Sequence, residues 1–361
     1  MDEITDEILS VSSELIKFRT TEDRFDEIRK CMGYIKDYFA DSNVVIREHS
    51  FKEKPSLFIC FNKRKRQDLI LNGHIDVIEG TDSQFLAERK GNFLYGRGTS
   101  DMKIALATMI VLMKKLSNMK KIPKVGLMIV SDEELGGFHG TRMLLKAGYK
   151  SNFAITGETS KFNVETKHKG SLQVRIIAYG SHSHASRPWL GNNAIEKLIK
   201  QWAKLLEEIP RANNQKKWLP SINPTNFIAE GPYNVTPAKA EMVLDIRTTE
   251  EWTNRKILYT LKKLNIKYKR ILDGNMLYNN RKNNHIKSLK KITQNVLGRK
   301  VKYIKSCGGS DTRFFTNHNI PAVNFGPIGR NHHKHNEYLE ISSIEPYYKI
   351  LEKFIKENFV K

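Results

Sequence analysis

The sequence predicts an α/β protein into which a smaller α+β segment is inserted. Three observations carry that expectation. Short apolar runs alternate with longer helical patterns, clusters of acids and histidines fall where the apolar runs stop, and the pattern changes between Gly170 and Asp273 before resuming.

Taken in order, residues 8–18 and 28–39 repeat apolar side chains at helical spacing, and residues 57–61 and 69–71 are continuous apolar runs of the kind that strands buried on both faces show. The segment opened by Asp101 carries Ile104, Ala105, Leu106 and Ala107, then residues 109–113, with almost no polar interruption, so a buried helix is expected there. Val125–Val130 and Phe153–Thr156 read as strands, each followed by acids. Two strand-like segments around 172–179 open the inserted part. A helix at 193–208, strands near Phe227 and at 241–247, a helix from Glu250 and a strand at 268–272 complete a β-α-β-β-α-β order. A helix at 285–296, a strand at 301–304, a helix from Ser310, a strand at 322–325 and a terminal helix from Ser342 return to the α/β theme. The expected segments are therefore 1–168, 169–275 and 276–361.

The 361 residues, 39% hydrophobic and 28% charged, suffice for one large domain or two moderate ones with their own cores. No run approaches the ~18 apolar residues of a membrane helix, and the N-terminal residues are acidic where a secretory signal carries positive charge. A cytoplasmic protein is expected. Cys31, Cys60 and Cys307 are an odd set without C-x-x-C spacing, which favours neither a disulfide framework nor a thiolate zinc site; all three are expected to be reduced, and Cys307 to pack. The formal net charge of +22 comes from basic residues scattered along the chain, apart from the run Lys63 to Arg66. Either it reflects composition, or it is a field that steers anionic substrates or docks an acidic carrier protein.

Five motifs sit at strand-to-helix junctions. His74-Ile75-Asp76 ends an apolar run, so imidazole and carboxylate can share a face, either as a structural pair or as a ligand with its orienting acid. Asp101, in Gly96-Arg97-Gly98-Thr99-Ser100-Asp101, is either a helix N-cap or a carboxylate that flanking glycines aim into a site. Asp132-Glu133-Glu134 places three acids together without a nearby cation, as a solvated turn or as a metal site; in an extended chain Glu133 and Glu134 would point opposite ways. Glu158 is a further acid at a strand end, and His332, His333 and His335 cluster before the last helix. Such junctions converge on one edge of an α/β sheet, and nitrogen and oxygen donors without thiolate select Zn²⁺, with Co²⁺ or Mn²⁺ as substitutes.

These motifs, in this order, resemble the co-catalytic zinc amidohydrolase family that includes succinyl-diaminopimelate desuccinylase, acetylornithine deacetylase, aminoacylase and the glutamate-releasing carboxypeptidases. The resemblance implies a zinc-exopeptidase-like catalytic domain with a mixed sheet flanked by helices, and an inserted lid and dimerisation domain. It implies two Zn²⁺ per subunit, one held by His74, Asp101 and Glu158 and the other by Asp101, Glu134 and His333, with Asp76 behind His74 and Glu133 as general base. His332 and His335 fall outside the ligand positions. In the inserted part, His184 resembles the lid histidine that polarises the scissile carbonyl in the partner subunit, and Asn234 and Arg247 resemble residues that hold a substrate carboxylate. Ser306-Cys307-Gly308-Gly309-Ser310-Asp311-Thr312-Arg313-Phe314 resembles the desuccinylase segment S-G-G-T-S-D-G-R-F, departing from it at Cys307, Gly309 and Thr312, and brings Gly308, Gly309 and Ser310 to the substrate.

The implied function is metal-dependent hydrolysis of an amide bond in an N-acyl amino acid or dipeptide, desuccinylase-like, by a homodimer joined through residues 169–275. A deacetylase of acetylornithine or acetyl-lysine, a dipeptidase or carboxypeptidase, and a hydrolase that releases an amino acid from an acidic carrier protein stay open. An idle, basic relative that binds nucleic acid is the alternative of a different class; nucleic acid and membrane are otherwise not expected partners.

Overall fold

The computed structural model describes residues 3–214 and 217–360, so the expected segment ends at residues 1 and 361 lie outside the described residues. The chain divides into two compact units: one runs through Lys167 and adds Tyr278–Lys305 and the chain from Ser310, and the other comprises His168–Leu277 with Ser306–Gly309.

The first unit is built on a nine-stranded sheet. Its order is Val45–Phe51, Lys54–Cys60, Val125–Val130, Leu69–His74, Phe153–Thr156, Ala322–Asn324, Val164–His168 and Leu277–Tyr278, with Tyr303–Ser306 also paired to Val164–His168. Val125–Val130, Leu69–His74, Phe153–Thr156 and Ala322–Asn324 run parallel, and their neighbours Lys54–Cys60 and Val164–His168 are antiparallel. The sheet is thus mixed. Its parallel strands are buried along their whole length, which is why they read as continuous apolar runs rather than alternating ones.

Helix Ile104–Ser117 is buried except at Lys114 and Lys115 and packs in one apolar cluster with helices Glu3–Lys17, Phe25–Tyr38, Asn284–Leu297 and Ile344–Phe359. A second cluster, with Tyr149, Phe314 and Phe315, includes the strand residues Phe58, Ile70 and Met128, whose neighbours Ile59, Leu71 and Leu127 point into the first. Helices therefore flank both faces.

A separate four-stranded sheet, Gly329–Arg330, Tyr338–Glu340, Phe93–Tyr95 and Glu88–Lys90, was not expected. Its strands are two or three residues long, too short to show a period, yet it pairs Tyr95 with Tyr338 and so holds together two stretches of chain that bear on the site.

The second unit is an antiparallel sheet in the order Ser221–Ile228, Lys239–Thr248, Gly170–Tyr179 and Lys267–Gly274. Gly170–Tyr179 is one strand with alternating burial, not two, and its inward residues Leu172, Val174 and Ile176 pack with Leu198, Leu205, Ile257 and Leu261 of helices Ala194–Glu208 and Asn254–Lys263. The second helix starts at Asn254 rather than Glu250, because the Thr253 side chain caps it by accepting the Lys256 N–H. Among the described residues, no helix is long and apolar enough to cross a membrane.

Candidate metal centre

Parallel strands present their carboxyl ends along one edge, and three of these four lead into His74, Glu133 with Glu134, and Glu158; the turn Thr99–Lys103 and the loop before Tyr338–Glu340 add Asp101 and His333. His74 is the last residue of its strand and 1% exposed. Its Nδ1 lies 2.9 Å from the Asp76 carbonyl oxygen. A carbonyl only accepts, so Nδ1 carries the proton and the Nε2 side faces Asp101 Oδ1 at 3.2 Å and Glu158 Oε1 at 3.8 Å. The Asp76 carboxylate splits its roles. Oδ2 accepts the Glu134 N–H at 2.8 Å, whereas buried Oδ1 has no hydrogen-bond partner and stands 3.5 Å from His74 Nδ1. Asp76 thereby ties the His74 strand end to the acidic turn.

Asp101 is not a helix cap. Helix Ile104–Ser117 begins three residues later, without a side-chain cap bond, and Asp101 itself has φ −134° and ψ 88°, outside the helical range. The turn Thr99–Lys103 enters from Gly98 at φ +82°, where a Cβ would lie 2.9 Å from Val77 Cγ1, so only glycine fits. Glu337, 1% exposed, accepts the N–H groups of Gly98 (3.1 Å), Ser100 (2.9 Å) and Asp101 (3.1 Å) and the Arg97 Nη1–H (2.8 Å). Hydrogen bonds to a charged group contribute roughly 1.5–3 kcal/mol each, enough to hold this turn in place of a helical one.

Of the two conformations left open at Glu133 and Glu134, the chain takes the turn and not the extended one. The strand stops at Val130, and the Gly136 and Gly137 N–H groups donate to the carbonyls of Glu133 (2.7 Å) and Asp132 (2.6 Å), closing a turn. Arg313 anchors it from outside, donating to the carbonyls of Gly136 (2.7 Å) and Ser310 (2.8 Å).

His333 stands in the loop between Gly329–Arg330 and Tyr338–Glu340, at φ +61°, a left-handed conformation costly for a residue with a Cβ. Its Nε2 is 3.1 Å from Glu134 Oε1 and 3.3 Å from Asp101 Oδ2. His332 Nε2 is 3.0 Å from Thr159 Oγ1, and its Nδ1 is 3.7 Å from Asp101 Oδ2. The exposed His335 offers its carbonyl to Gln84 Nε2 at 3.1 Å.

Two groups of donors result: His74, Asp101 and Glu158, and Asp101, Glu134 and His333, with the donor atoms of each within 4.8 Å of one another. Asp101 belongs to both. Burial pushes the Glu158 carboxyl well above the usual carboxylate range, with the charge of Asp101 adding to it. Burial raises Glu133 in the same direction, against the pull of His74 and with Asp311 and Asp101 reinforcing it. Burial opposes ionisation of Asp101 too, but hydrogen bonds from His332, His333 and His74 hold it well below the usual range. Burial likewise opposes charge on His74, yet Asp101 and Asp76 raise it well above the histidine range; Asp101 and Glu134 raise His333 to about 10. Carboxylates crowded this closely repel one another, and a bound cation relieves them. With the orphaned Asp76 Oδ1 beside nitrogen and oxygen donors and no thiolate among them, the residues fit a divalent metal such as Zn²⁺, Co²⁺ or Mn²⁺.

The expected substrate-side residues fall in both units: His184, Asn234, Arg247, Gly308 and Gly309 in the second and Ser310 in the first. In the second unit His184 is exposed, its Nδ1 is 2.8 Å from Ser186 Oγ, and the Ala185 N–H donates to the Asn234 carbonyl at 2.8 Å, so His184 and Asn234 are neighbours. Arg247 Nε donates to Asp245 Oδ1 at 2.8 Å on its own strand. Gly308 and Gly309 are exposed, whereas Ser310 is buried and its hydroxyl donates to Asn324 Oδ1 at 3.0 Å. Cys307 is exposed, not packed; Cys31 and Cys60 are buried, and all three thiols are free.

Sequence reading missed Glu337, Arg97 and Lys103. Lys103 is wholly buried, donates to the carbonyls of Leu15 (2.9 Å) and Phe18 (2.8 Å), and is lowered by burial to about 8. The available signals were charged residues embedded in glycine-rich or apolar surroundings, Arg97 between two glycines and Lys103 before an apolar helix.

The model of peptidase family M20/M25/M40 matches residues 70–357. A succinyl-diaminopimelate desuccinylase from Wigglesworthia glossinidia brevipalpis is 29% identical over 330 residues, covering 81% of this chain and 84% of that protein. Among solved structures, an M20 family metallo-carboxypeptidase from Sulfolobus solfataricus aligns with a TM-score of 0.78 at 19% identity, covering 99% of both chains. The aminopeptidase PepT from Bacillus cereus aligns with a TM-score of 0.78 at 17% identity, covering 98% of both. These two likenesses are of fold.

Proposed function

The chain belongs to peptidase family M20/M25/M40, and from that premise we propose that it is a two-metal amidohydrolase of the cytoplasm that deacylates an N-acyl amino acid, with a succinyl-diaminopimelate-like substrate preferred. The observation that carries the reading is the sharing of Asp101 between two donor groups, since one carboxylate with a lone pair toward each group suits a pair of ions. We assign His74, Asp101 and Glu158 to one Zn²⁺ and Asp101, Glu134 and His333 to the other. When bound, such ions act as Lewis acids and lower the pKa of water toward about 7.

The protein's own part is proton traffic and orientation. Glu133, in electrostatic contact with His74, Asp101 and Glu134, takes a proton from the attacking water and returns it to the leaving nitrogen. Asp76 keeps His74 in the tautomer whose Nε2 is available as a ligand. His184, beside Asn234 in the second unit, is proposed to act at the carbonyl oxygen in the partner subunit of a homodimer. Asn234, Arg247, Gly308, Gly309 and Ser310 are proposed to bind the substrate; the +22 charge leaves room for an acidic carrier as its bearer.

Release of free amine from N-succinyl, N-acetyl and dipeptide substrates tests this. Activity should vanish with a chelator and return with Zn²⁺ or Co²⁺; silence across the panel from a protein carrying both ions would reject the reading. Removal of single histidines sharpens it. His335→Ala should leave metal binding and turnover within about 2-fold, whereas His333→Ala should weaken one ion's binding by more than ~10-fold. Loss of metal from His335→Ala alone would mean that the wrong histidine was assigned.

A further inference from the structure

Two consecutive imidazoles converge on one carboxylate oxygen. His333 Nε2 lies 3.3 Å and His332 Nδ1 3.7 Å from Asp101 Oδ2. Neighbours in an extended chain point to opposite sides, so the backbone has to turn for both to arrive there. It does: Asn331 at φ +60° and His333 at φ +61° are both left-handed. Asn331 holds the turn from each side, accepting the Lys334 N–H at 3.0 Å through its carbonyl and donating from Nδ2 to the Asn336 carbonyl at 3.2 Å. Only His333 belongs to a donor group, yet the loop specifies the place of both imidazoles.

A second contact decides where His332 carries its proton. Thr159 Oγ1 lies 3.0 Å from His332 Nε2, and the neutral pair can be arranged in two ways. If Nε2 donates to the hydroxyl, Nδ1 sets a lone pair against Asp101 Oδ2, which repels it. If the Thr159 hydroxyl donates, the imidazole proton is on Nδ1 and the N–H faces the charge. Electrostatics selects the second arrangement. Ser100 Oγ, at 3.5 Å from Nδ1 and 3.4 Å from Nε2, is nearly equidistant and favours neither. The close approach is built into the base of the loop, where a Cβ on Gly329 would lie 2.1 Å from Ser100 Oγ and 2.9 Å from Thr159 Cγ2.

We propose that His332 is a positioning residue for the shared carboxylate: Thr159 fixes its tautomer, and its Nδ1–H draws Asp101 Oδ2 toward the donor group of Glu134 and His333. At 3.7 Å the attraction is electrostatic, longer than a direct hydrogen bond. The proposal rests on the two-metal reading above and adds to it two residues that prepare the carboxylate without binding an ion themselves.

Titration of the metal-free protein with Co²⁺, followed by absorbance, tests it without recourse to turnover. Thr159→Val, which keeps the shape and removes the hydroxyl, and His332→Ala should each weaken binding of one ion by about 10-fold. Thr159→Ser, which keeps the donor, should stay within about 2-fold of the parent protein. Because Thr159 acts through His332, the double variant Thr159→Val, His332→Ala should bind no more weakly than His332→Ala alone. Nitrogen NMR of the metal-free protein in mildly alkaline buffer, with the His332 signal identified by its loss in His332→Ala, should find the proton on Nδ1 in the parent and in Thr159→Ser. A proton on Nε2 in the parent, parent-like affinity in Thr159→Val, or effects that multiply in the double variant overturn the proposal. So does outright loss of one ion in His332→Ala, which would make His332 a ligand. Each of those results leaves the two-metal reading standing. If His333→Ala binds both ions as tightly as the parent does, that reading fails and the proposal falls with it.

Discussion

Glu133→Gln should lower kcat by roughly 10²–10⁴-fold, the range that a positioned general base supplies, and leave the affinity for metal unchanged. The substitution keeps the size of the side chain and removes its ability to take a proton. Glu133 belongs to neither donor group, so the ions should stay. The turn that carries it is closed by backbone bonds and by Arg313, neither of which uses the Glu133 side chain. Metal content and the midpoint of thermal unfolding should therefore match those of the parent protein. Glu134→Gln is the informative contrast: its carboxylate lies 3.1 Å from His333 Nε2 and stands in a donor group, so its loss should appear as weaker metal binding first and slower turnover second. If Glu133→Gln emptied the site and Glu134→Gln merely slowed the reaction, the two roles would have to be exchanged.

The fold and the donor residues were legible for different reasons. Strands buried on both faces are mostly apolar, so Val125–Val130 and Phe153–Thr156 stand out of the sequence with their observed limits. The donor residues were legible because an acid or imidazole at the end of such a strand has few structural reasons to be there. The errors have one cause in common. Helix Ile104–Ser117 does not start at Asp101 because Glu337, more than two hundred residues downstream, captures the N–H groups of Gly98, Ser100 and Asp101. The short strands Phe93–Tyr95 and Tyr338–Glu340 are fixed by each other and not by any local pattern. Contacts over such separations leave no periodicity to read.

Asp101→Asn should weaken binding of both ions by more than ~100-fold and remove turnover with them, a larger effect than loss of any other donor. His74, Glu158, Glu134 and His333 each serve one group, whereas Asp101 serves both. An amide has the same shape, but it carries no charge and offers one acceptor oxygen where the carboxylate offers two. Its NH₂ would face either His74 Nε2 or His333 Nε2, now 3.2 and 3.3 Å from the carboxylate oxygens. The position of residue 101 should not change, because Glu337 holds the turn through backbone N–H groups that the substitution leaves in place. Glu337→Gln then separates charge from position. It keeps the Asp101 carboxylate but sets an amide donor against the N–H groups of the turn and Arg97, and should cost only about 10–100-fold in metal affinity. Titration of the metal-free variants with Co²⁺, followed by absorbance, measures both. Retention of one tightly bound ion in Asp101→Asn would show that the carboxylate serves a single position, and the two-ion assignment would fall with it.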